Sequence, residues 1–187
     1  MRRASLLRHG ESASNAHTGT ETLSEEAGDR LTERGLAQAR AAGAALGEQG
    51  ITRLLTSPMR RATETAAAVG EAIGLEPATV PHAHELELGE TFEQAIARVR
   101  QLKAELEAIG PDERPLLVTH GIFIRFFLLD SVLADGFTAP MAGRIWHLRS
   151  HNCAVSEFEP GGARDPAGGE TPGWTCVSWM ARPWDPP

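Results

Sequence analysis

The apolar residues of this chain fall into two kinds of segment that follow one another in turn. Short apolar runs predict β-strands, whereas longer segments with apolar residues three and four positions apart predict amphipathic helices. The predicted strands comprise residues 4–7, 51–56, 116–119, 144–148, 154–158 and 175–180. The predicted helices comprise residues 33–48, 58–73, 92–109 and 122–134. Because strands and helices alternate, the sequence predicts an α/β fold, a three-layer α/β/α sandwich with a mostly parallel central sheet.

Polar residues mark where three of these helices begin. Thr32 is a candidate N-cap, and Thr91 with Gln94 matches a capping box. Ser57 followed by Pro58 predicts a helix with the serine as its N-cap and the proline in its first position. The helix boundaries are therefore better supported than those of the later strands.

Four segments without apolar periodicity predict loops, namely 11–30, 76–90, 160–173 and 181–187. Segment 160–173 is rich in glycine and proline, so we expect a mobile surface loop there. We expect the proline-rich segment 181–187 to be a frayed tail. The length of 187 residues suits a single domain spanning residues 1–187.

The net charge of −7 argues against nucleic acid or an anionic membrane as a partner. Two cysteines, Cys153 and Cys176, are too few for a disulfide framework and lack zinc-site spacing. The most apolar window is too short to span a bilayer and is interrupted by Arg125. The short apolar run after the N-terminal arginines does not match a signal peptide. We expect a cytoplasmic protein.

Candidate chemistry appears where two predicted strands end. Arg8-His9-Gly10 follows the first strand, and His120-Gly121 follows the strand at 116–119. The carboxyl ends of parallel strands are where open α/β folds bind ligands, so the two imidazoles meet if these strands are parallel neighbours. Arg8 carries a planar fork of donors that fits phosphate or carboxylate oxygens.

Two arginines lie in the first turn of a predicted helix, where the helix dipole disfavours cations. An anionic ligand at that helix end would explain both arginines. The alternative is that they are solvated or paired with Glu64, which suits Arg60 better than Arg61. Two histidines and two arginines at one sheet edge are nearly sufficient for phosphoryl transfer, which depends mainly on positioning and charge stabilisation.

The ordered set of motifs resembles the histidine phosphatase superfamily, whose members have a phosphoglycerate mutase-like fold. The resemblance covers most of the chain. Its motifs are Arg8-His9-Gly10-Glu11-Ser12 with Asn15, Asp29 to Gly35 with Gln38, Ser57 to Ala62 with Glu64-Thr65, Val118 to Gly121 with Arg125, and Asn152 before Ala154-Val155.

The resemblance implies that His9 attacks phosphorus and forms a phosphohistidine, with its other ring nitrogen held by a backbone carbonyl. Arg8 and Arg61 would bind the phosphoryl group and favour the neutral imidazole. His120 would stabilise the phosphoryl oxygens as a cation or hydrogen-bond donor. The resemblance also places Gly121 against the substrate. It implies no metal and no other cofactor.

Three further assignments follow from the resemblance. Asn15 either touches the substrate, which the resemblance favours, or caps a turn. Arg125 is expected to brace the site through a carboxylate. Asn152 is expected to steady the loop beside the site.

The proton donor is the least determined residue of the predicted site. Glu85, four residues before Gly89, fits the spacing of the family's acid, and Glu87 and Glu90 are its rivals. A segment that the family usually carries after this glycine is missing here. We therefore expect a thin lid and an open pocket that accepts varied phosphomonoesters.

The sequence accordingly predicts a metal-independent phosphatase that hydrolyses small phosphorylated metabolites. The first alternative is a phosphoglycerate mutase-type isomerase, which would have to exclude water. The second is a non-catalytic phosphoester-binding protein, which the complete set of catalytic residue types disfavours. The sequence leaves the oligomeric state open, with a homodimer as one candidate.

Overall fold

The computed structural model describes residues 3–20, 23–164, 166–182 and 184. Eight strands lie within these ranges: β1 (Ala4–Arg8), β2 (Arg53–Thr56), β3 (Pro77–Thr79), β4 (Pro115–Thr119), β5 (Val155–Pro160), β6 (Ala163–Arg164), β7 (Glu170–Thr171) and β8 (Trp174–Ala181). The α-helices are α1 (Ala13–Ala16), α2 (Glu25–Gly28), α3 (Glu33–Leu46), α4 (Arg60–Ile73), α5 (Phe92–Ala108), α6 (Gly121–Leu133) and α7 (Ala139–Ala142). Short 3₁₀ turns lie at Pro81–Ala83, Ala134–Gly136 and Gly143–His147.

Six of the strands form one mixed sheet in the order β3-β2-β4-β1-β5-β8. The strands β3, β2, β4 and β1 are parallel, whereas β5 and β8 join antiparallel at one side. The predicted α/β fold with a mostly parallel sheet is therefore confirmed. The pairing of β1 with β4 is the one on which the predicted site depends.

The strands alternate their side chains between two apolar layers. Leu6, Leu55 and Leu117 pack with α5 and α6 on one face of the sheet. Their chain neighbours Leu7 and Leu54 pack with α3 and α4 on the other face. Both faces are covered because successive strand residues point to opposite sides, which makes these short strands apolar throughout.

The helix at residues 60–73 begins later than the sequence predicts. Its N-cap is Met59, not Ser57, and Met59 makes no side-chain cap hydrogen bond. The Ser57 hydroxyl instead lies 2.7 Å from His120 Nε2. Asp29 takes over the capping function, since its carboxylate accepts hydrogen bonds from the Arg60 and Arg61 amides.

Two other predictions of local structure are wrong. Residues 144–148 do not form a strand, since Gly143–His147 is a 3₁₀ turn. Ile145 is its buried anchor, and the Leu148 amide donates to the Ile145 carbonyl, a three-residue spacing that suits this turn. Segment 76–90 is not all loop, because Pro77–Thr79 adds a strand beside β2.

Segments 11–30 and 160–173 also contain more structure than predicted. The first holds the one-turn helices α1 and α2. The second contains the β6–β7 pair, and Gly162 donates to the Gly173 carbonyl at its base. Its mobility stays a prediction.

Much of the predicted frayed tail lies outside the described residues, namely Pro183 and positions 185–187. Trp184, which is described, packs against the core layer of α3 and α4. Among the described residues, no helix combines the length and apolar character needed to cross a bilayer.

Candidate active site

The parallel pairing of β1 and β4 brings the two predicted histidines together. His9 follows the last residue of β1, and His120 follows the last residue of β4. Their ring centroids are 5.2 Å apart, with the planes tilted by 56°. Both side chains are buried, with 2% and 0% of each residue exposed. The two strands are parallel neighbours, as a site shared by both histidines requires.

His9 is held at both ring nitrogens. Its Nδ1 lies 2.7 Å from the Gly10 carbonyl oxygen, which can only accept, so Nδ1 carries the proton. Its Nε2 then accepts a hydrogen bond of 3.1 Å from Nε of Arg61. Burial first, and then the cations Arg61 and Arg8, lower the pKa of His9 well below its usual value. His9 is therefore a neutral imidazole with a nucleophilic lone pair on Nε2.

His120 is held at one nitrogen only. Its Nε2 lies 2.7 Å from Ser57 Oγ, and Ser57 Oγ also accepts from the Met59 amide. Ser57 can satisfy its own proton by donating it to His120 Nε2, which leaves the proton of His120 on Nδ1. Nδ1 is buried and has no hydrogen-bond partner among the described residues. Burial, followed by the nearby His9, lowers the pKa of His120 well below its usual value, which favours the role of neutral donor over that of cation.

Arg8 and Arg61 approach the histidines from different elements. Arg8 donates from Nη1 to the Ser150 carbonyl at 2.7 Å, and its Nε is buried without a hydrogen-bond partner among the described residues. Arg61 pairs with Asp29 in addition to its bond to His9. Arg60 instead pairs with Glu64 at 2.7 Å, the alternative considered for it from the sequence. Only the second arginine of the helix therefore reaches the site.

Close backbone packing surrounds both histidines. A Cβ on Gly10 would lie 2.4 Å from the Gly35 carbonyl oxygen. A Cβ on Gly121 would lie 2.5 Å from Ser150 Oγ and 3.2 Å from Arg8 Nε. The two glycines are required because no side chain fits between these neighbours, and Gly121 leaves the edge of Arg8 uncovered.

The Glu85 carboxylate lies at the start of α6, close behind His120. One oxygen accepts from the Ile122 amide and the other from the Phe123 amide, each at 3.1 Å. Burial raises the pKa of Glu85, although these amides and the Arg61 cation act against it. A carboxyl group whose pKa is raised by burial is suited to hold a proton and release it in an acid–base step.

The two rival carboxylates are engaged elsewhere. Glu90 forms a two-point ion pair with Arg98, with both distances below 2.8 Å. Glu87 is exposed and lies 3.2 Å from His84. Glu85 is therefore the one of the three whose carboxylate is buried at the start of α6 and interacts with the charges of Arg8 and Arg61.

Three further residues around the site had expected roles, and one of them, Arg125, departs from its expectation. Arg125 contacts no carboxylate among the described residues, because its Nη2 donates to the Ser150 hydroxyl at 2.9 Å. Asn152 donates to the His9 carbonyl and to Asn15 Oδ1, as its predicted steadying role requires. Asn15 also closes a capping box with Ser12, which is the turn-capping alternative, and its contact with substrate stays a prediction.

Sequence reasoning missed the partners that orient the predicted residues. The sequence assigns no role to Ser150 or Asp29, and it assigns Ser57 only the role of a helix N-cap. A serine directly before a helix reads as a cap, so nothing in the local pattern distinguishes one that contacts a histidine of another strand. The residues 3–20, 23–164, 166–182 and 184 contain no group of three or more metal-ligating side chains arranged to hold a metal ion.

Comparison with known proteins agrees with this geometry. The model of the histidine phosphatase superfamily (branch 1) matches residues 5–89 and 78–166. The chain belongs to this superfamily. The predicted family, fold and enzyme class are therefore confirmed.

Curated relatives include proteins named probable phosphoglycerate mutase GpmB. The one from Erwinia tasmaniensis is 25% identical, over 82% of this chain and 83% of the relative. The one from Yersinia pestis (strain Pestoides F) is 28% identical, with the same coverage.

Solved structures of similar fold include phosphatases. A mycobacterial glucosyl-3-phosphoglycerate phosphatase, in complex with VO3, has a TM-score of 0.71 and 25% identity over 97% of this chain and all of that one. A phosphoserine phosphatase from Entamoeba histolytica, in complex with phosphoserine, has a TM-score of 0.74 over 97% of this chain and 98% of that one. The identity of the second is 16%, so it supports the fold alone.

Proposed function

We propose that this protein hydrolyses small phosphomonoesters through a phosphohistidine on His9. The observation that carries the proposal is the fixed state of His9, whose Nδ1 donates to the Gly10 carbonyl, so that the lone pair of the ring lies on Nε2. This lone pair accepts from Arg61 Nε and becomes free to attack when Arg61 binds a phosphoryl oxygen instead. A neutral, oriented imidazole next to cations is what in-line attack on a phosphate ester needs.

In the first step, His9 Nε2 forms a bond to phosphorus while the bond from phosphorus to the ester oxygen breaks. Arg8, Arg61 and His120 Nδ1 bind the phosphoryl oxygens, and the Gly121 backbone lies beside them. Glu85 gives its proton to the departing alkoxide.

In the second step, Glu85 takes a proton from water as the water oxygen attacks phosphorus. The bond between phosphorus and Nε2 breaks, and inorganic phosphate leaves. No metal takes part in either step, because the protein's own cations balance the charge of the phosphoryl group.

The short connection before α5 supports hydrolysis over isomerisation. The chain turns at Glu87–Glu90, where the Glu90 amide donates to the Glu87 carbonyl, and enters the capping box of Thr91 at once. Leu88 in this turn is fully exposed. A lid of this size excludes water poorly, whereas a mutase must keep its phosphoenzyme from hydrolysis. The mutase remains the alternative that the curated relatives' names support.

The proposed substrates are small phosphorylated metabolites, consistent with the phosphatases among the similar structures. A cytoplasmic location and the absence of nucleic acid or membrane as partners remain parts of this proposal. The decisive assay measures phosphate release from a panel of sugar phosphates, phosphoglycerates, nucleotides and phosphorylated amino acids, together with isomerisation of 3-phosphoglycerate. Release without isomerisation is expected, and dominant isomerisation would contradict the proposal.

The assignment of Glu85 predicts a dependence on the leaving group. Glu85→Gln should lower kcat/KM for an alkyl phosphate by about 10²- to 10⁴-fold, because the alkoxide leaves without a proton. The loss for p-nitrophenyl phosphate should be under about tenfold, since p-nitrophenolate needs little proton transfer.

Glu87→Gln is the matched control, because it alters an exposed carboxylate two residues away. It should leave both substrates unaffected. Equal losses for the two substrates in Glu85→Gln would show that Glu85 is not the proton donor.

A further inference from the structure

We propose that Asp29 is a positioning residue that fixes Arg61 for phosphoryl transfer. The proposal rests on the proposed function for its catalytic meaning. Its structural basis is a chain of contacts that runs from Asp29 through Arg61 to the attacking nitrogen of His9.

Asp29 holds Arg61 from two directions. Its Oδ1 lies 2.5 Å from Arg61 Nη1. The same carboxylate accepts from the Arg60 amide at 2.7 Å and from the Arg61 amide at 3.5 Å. The backbone and the guanidinium of Arg61 are thus both bound to one carboxylate, which limits where the side chain can go.

The three arms of the Arg61 guanidinium have different partners. Nη1 is bound to Asp29, and Nε donates to His9 Nε2. Among the described residues, the hydrogen-bond partner of Nη2 is the Met59 sulfur, at 3.4 Å, and a thioether is a weak acceptor. Asp29 therefore occupies one edge of the guanidinium and presents the Nε/Nη2 edge to the site. That edge matches two phosphoryl oxygens, a two-point geometry that Arg forms readily.

The ion pair between Asp29 and Arg61 is more buried than the neighbouring pair between Arg60 and Glu64. Arg60 and Glu64 are more exposed, with side-chain exposures of 43% and 32%, against 14% and 18% for Arg61 and Asp29. Exposed pairs contribute little, whereas removal of one partner from a buried pair leaves a charge uncompensated. Loss of the Asp29–Arg61 pair should consequently weaken the hydrogen bond from Arg61 to His9.

The main test is Asp29→Asn. Asparagine caps helices as well as aspartate does, so α4 keeps its cap, while Arg61 loses the carboxylate. We expect kcat/KM for p-nitrophenyl phosphate to fall about 10- to 100-fold, mostly in kcat, because small misplacement of a catalytic group has effects of this size. Glu64→Gln, which alters the neighbouring pair, should change kcat/KM less than twofold. An Asp29→Asn enzyme as active as Glu64→Gln would overturn the proposal.

A double-mutant cycle separates positioning from general stabilisation. If Asp29 acts through Arg61, then Asp29→Asn should add less than about twofold to the defect of Arg61→Ala. A full additional loss in the Arg61→Ala background would show that Asp29 acts by another route and would overturn the proposal.

A readout without turnover keeps the proposal distinct from the proposed function. The ¹⁵N NMR signal of His9 Nε2 should move in Asp29→Asn, as Arg61 leaves it, and should stay in place in Glu64→Gln. If the wild-type protein released no phosphate from any ester, the proposed function would fail while this shift still tested Asp29. An unchanged Nε2 signal in Asp29→Asn would refute the positioning role by itself.

Discussion

The ends of β1 and β4 carry the same dipeptide, histidine followed by glycine, yet they hold the imidazole in opposite ways. After β1, the Gly10 carbonyl accepts a hydrogen bond from Nδ1 of His9, and Nε2 accepts one from Arg61. After β4, the Ser57 hydroxyl forms a hydrogen bond with Nε2 of His120, and Nδ1 has no hydrogen-bond partner among the described residues. One end therefore presents a lone pair, and the other presents an N–H.

This difference shows that the surroundings, not the motif, decide what each histidine does. Both are buried and both have a lowered pKa, so burial alone does not distinguish a nucleophile from a donor. The distinction comes from which ring nitrogen is occupied, since that choice fixes the tautomer. Variants that change the surroundings of one histidine and leave those of the other intact test whether the surroundings decide its role.

The largest effect is expected from replacement of the two histidines themselves. His9→Asn should lower kcat/KM for p-nitrophenyl phosphate by at least about 10⁴-fold, because the covalent route is lost. His120→Asn should lower it by about 10²- to 10³-fold, as removal of one oxyanion donor does. Enzyme quenched in alkaline detergent, in which phosphohistidine is stable, should carry phosphate on histidine in wild type and in His120→Asn, but not in His9→Asn. Phosphate recovered on His9→Asn would place the nucleophile elsewhere.

A smaller effect should follow from Ser57→Ala. The hydroxyl that fixes His120 is lost while the imidazole stays, so kcat/KM should fall about tenfold as the Nδ1–H form loses its preference. The orphaned Nε2 should cost about 1–3 kcal/mol of unfolding free energy.

Ser156→Ala provides the control for Ser57→Ala. Ser156 is an equally buried serine, and within the described part of the chain its hydroxyl accepts from the Met180 amide and from no other donor. We expect a loss of stability without a loss of activity. A similar loss of activity in both variants would mean that His120 does not depend on Ser57.

The smallest predicted effect concerns the pH dependence of stability. The unfolded chain binds protons on both histidines near their ordinary pKa of 6.5, whereas the folded chain resists them. Acid therefore favours unfolding, and each histidine should remove about 1.4 kcal/mol of stability between pH 7.5 and 5.5. The raised pKa of Glu85 acts in the opposite direction, because the folded state binds that proton more readily.

Comparison with His120→Asn isolates the histidine contribution. Urea denaturation at pH 7.5 and 5.5 should show a pH-dependent loss smaller by about 1.4 kcal/mol in this variant than in wild type. The same loss in both proteins would contradict the neutral, buried state of His120.

Much of the fold could be predicted from the sequence because its central strands are short, apolar and followed by helices of clear period. Leu116, Leu117 and Val118 are all buried, and the capping box at Thr91 starts a helix where the pattern places it. The strand expected at 144–148 failed because two apolar residues three apart fit a 3₁₀ turn as well as a buried edge.

The candidate site was predictable to the extent that its residues lie next to strand and helix ends. The sequence could place His9 and His120 together only on the condition that their strands are parallel neighbours, and the pairing of β1 with β4 meets that condition. Asp29, Ser57 and Ser150 could not be placed there, because each acts on a residue far away in the chain and no local pattern records such a contact. The sequence also leaves Glu85, Glu87 and Glu90 as alternatives for the proton donor. The contacts of Glu90 with Arg98 and of Glu87 with His84 favour Glu85, which stays a proposal.

The carbonyl that orients His9 belongs to the main chain, and every amino acid at position 10 would still provide one. What forbids replacement there is lack of room, since a methyl group would meet the Gly35 carbonyl. The contact at Nδ1 of His9 is thus made by the main chain, although its Nε2 depends on Arg61, whereas the contact at Nε2 of His120 depends on one hydroxyl. A substitution at Ser57, in evolution or in a laboratory library, can consequently change the hydrogen bonding of His120 while the Gly10 carbonyl still holds Nδ1 of His9.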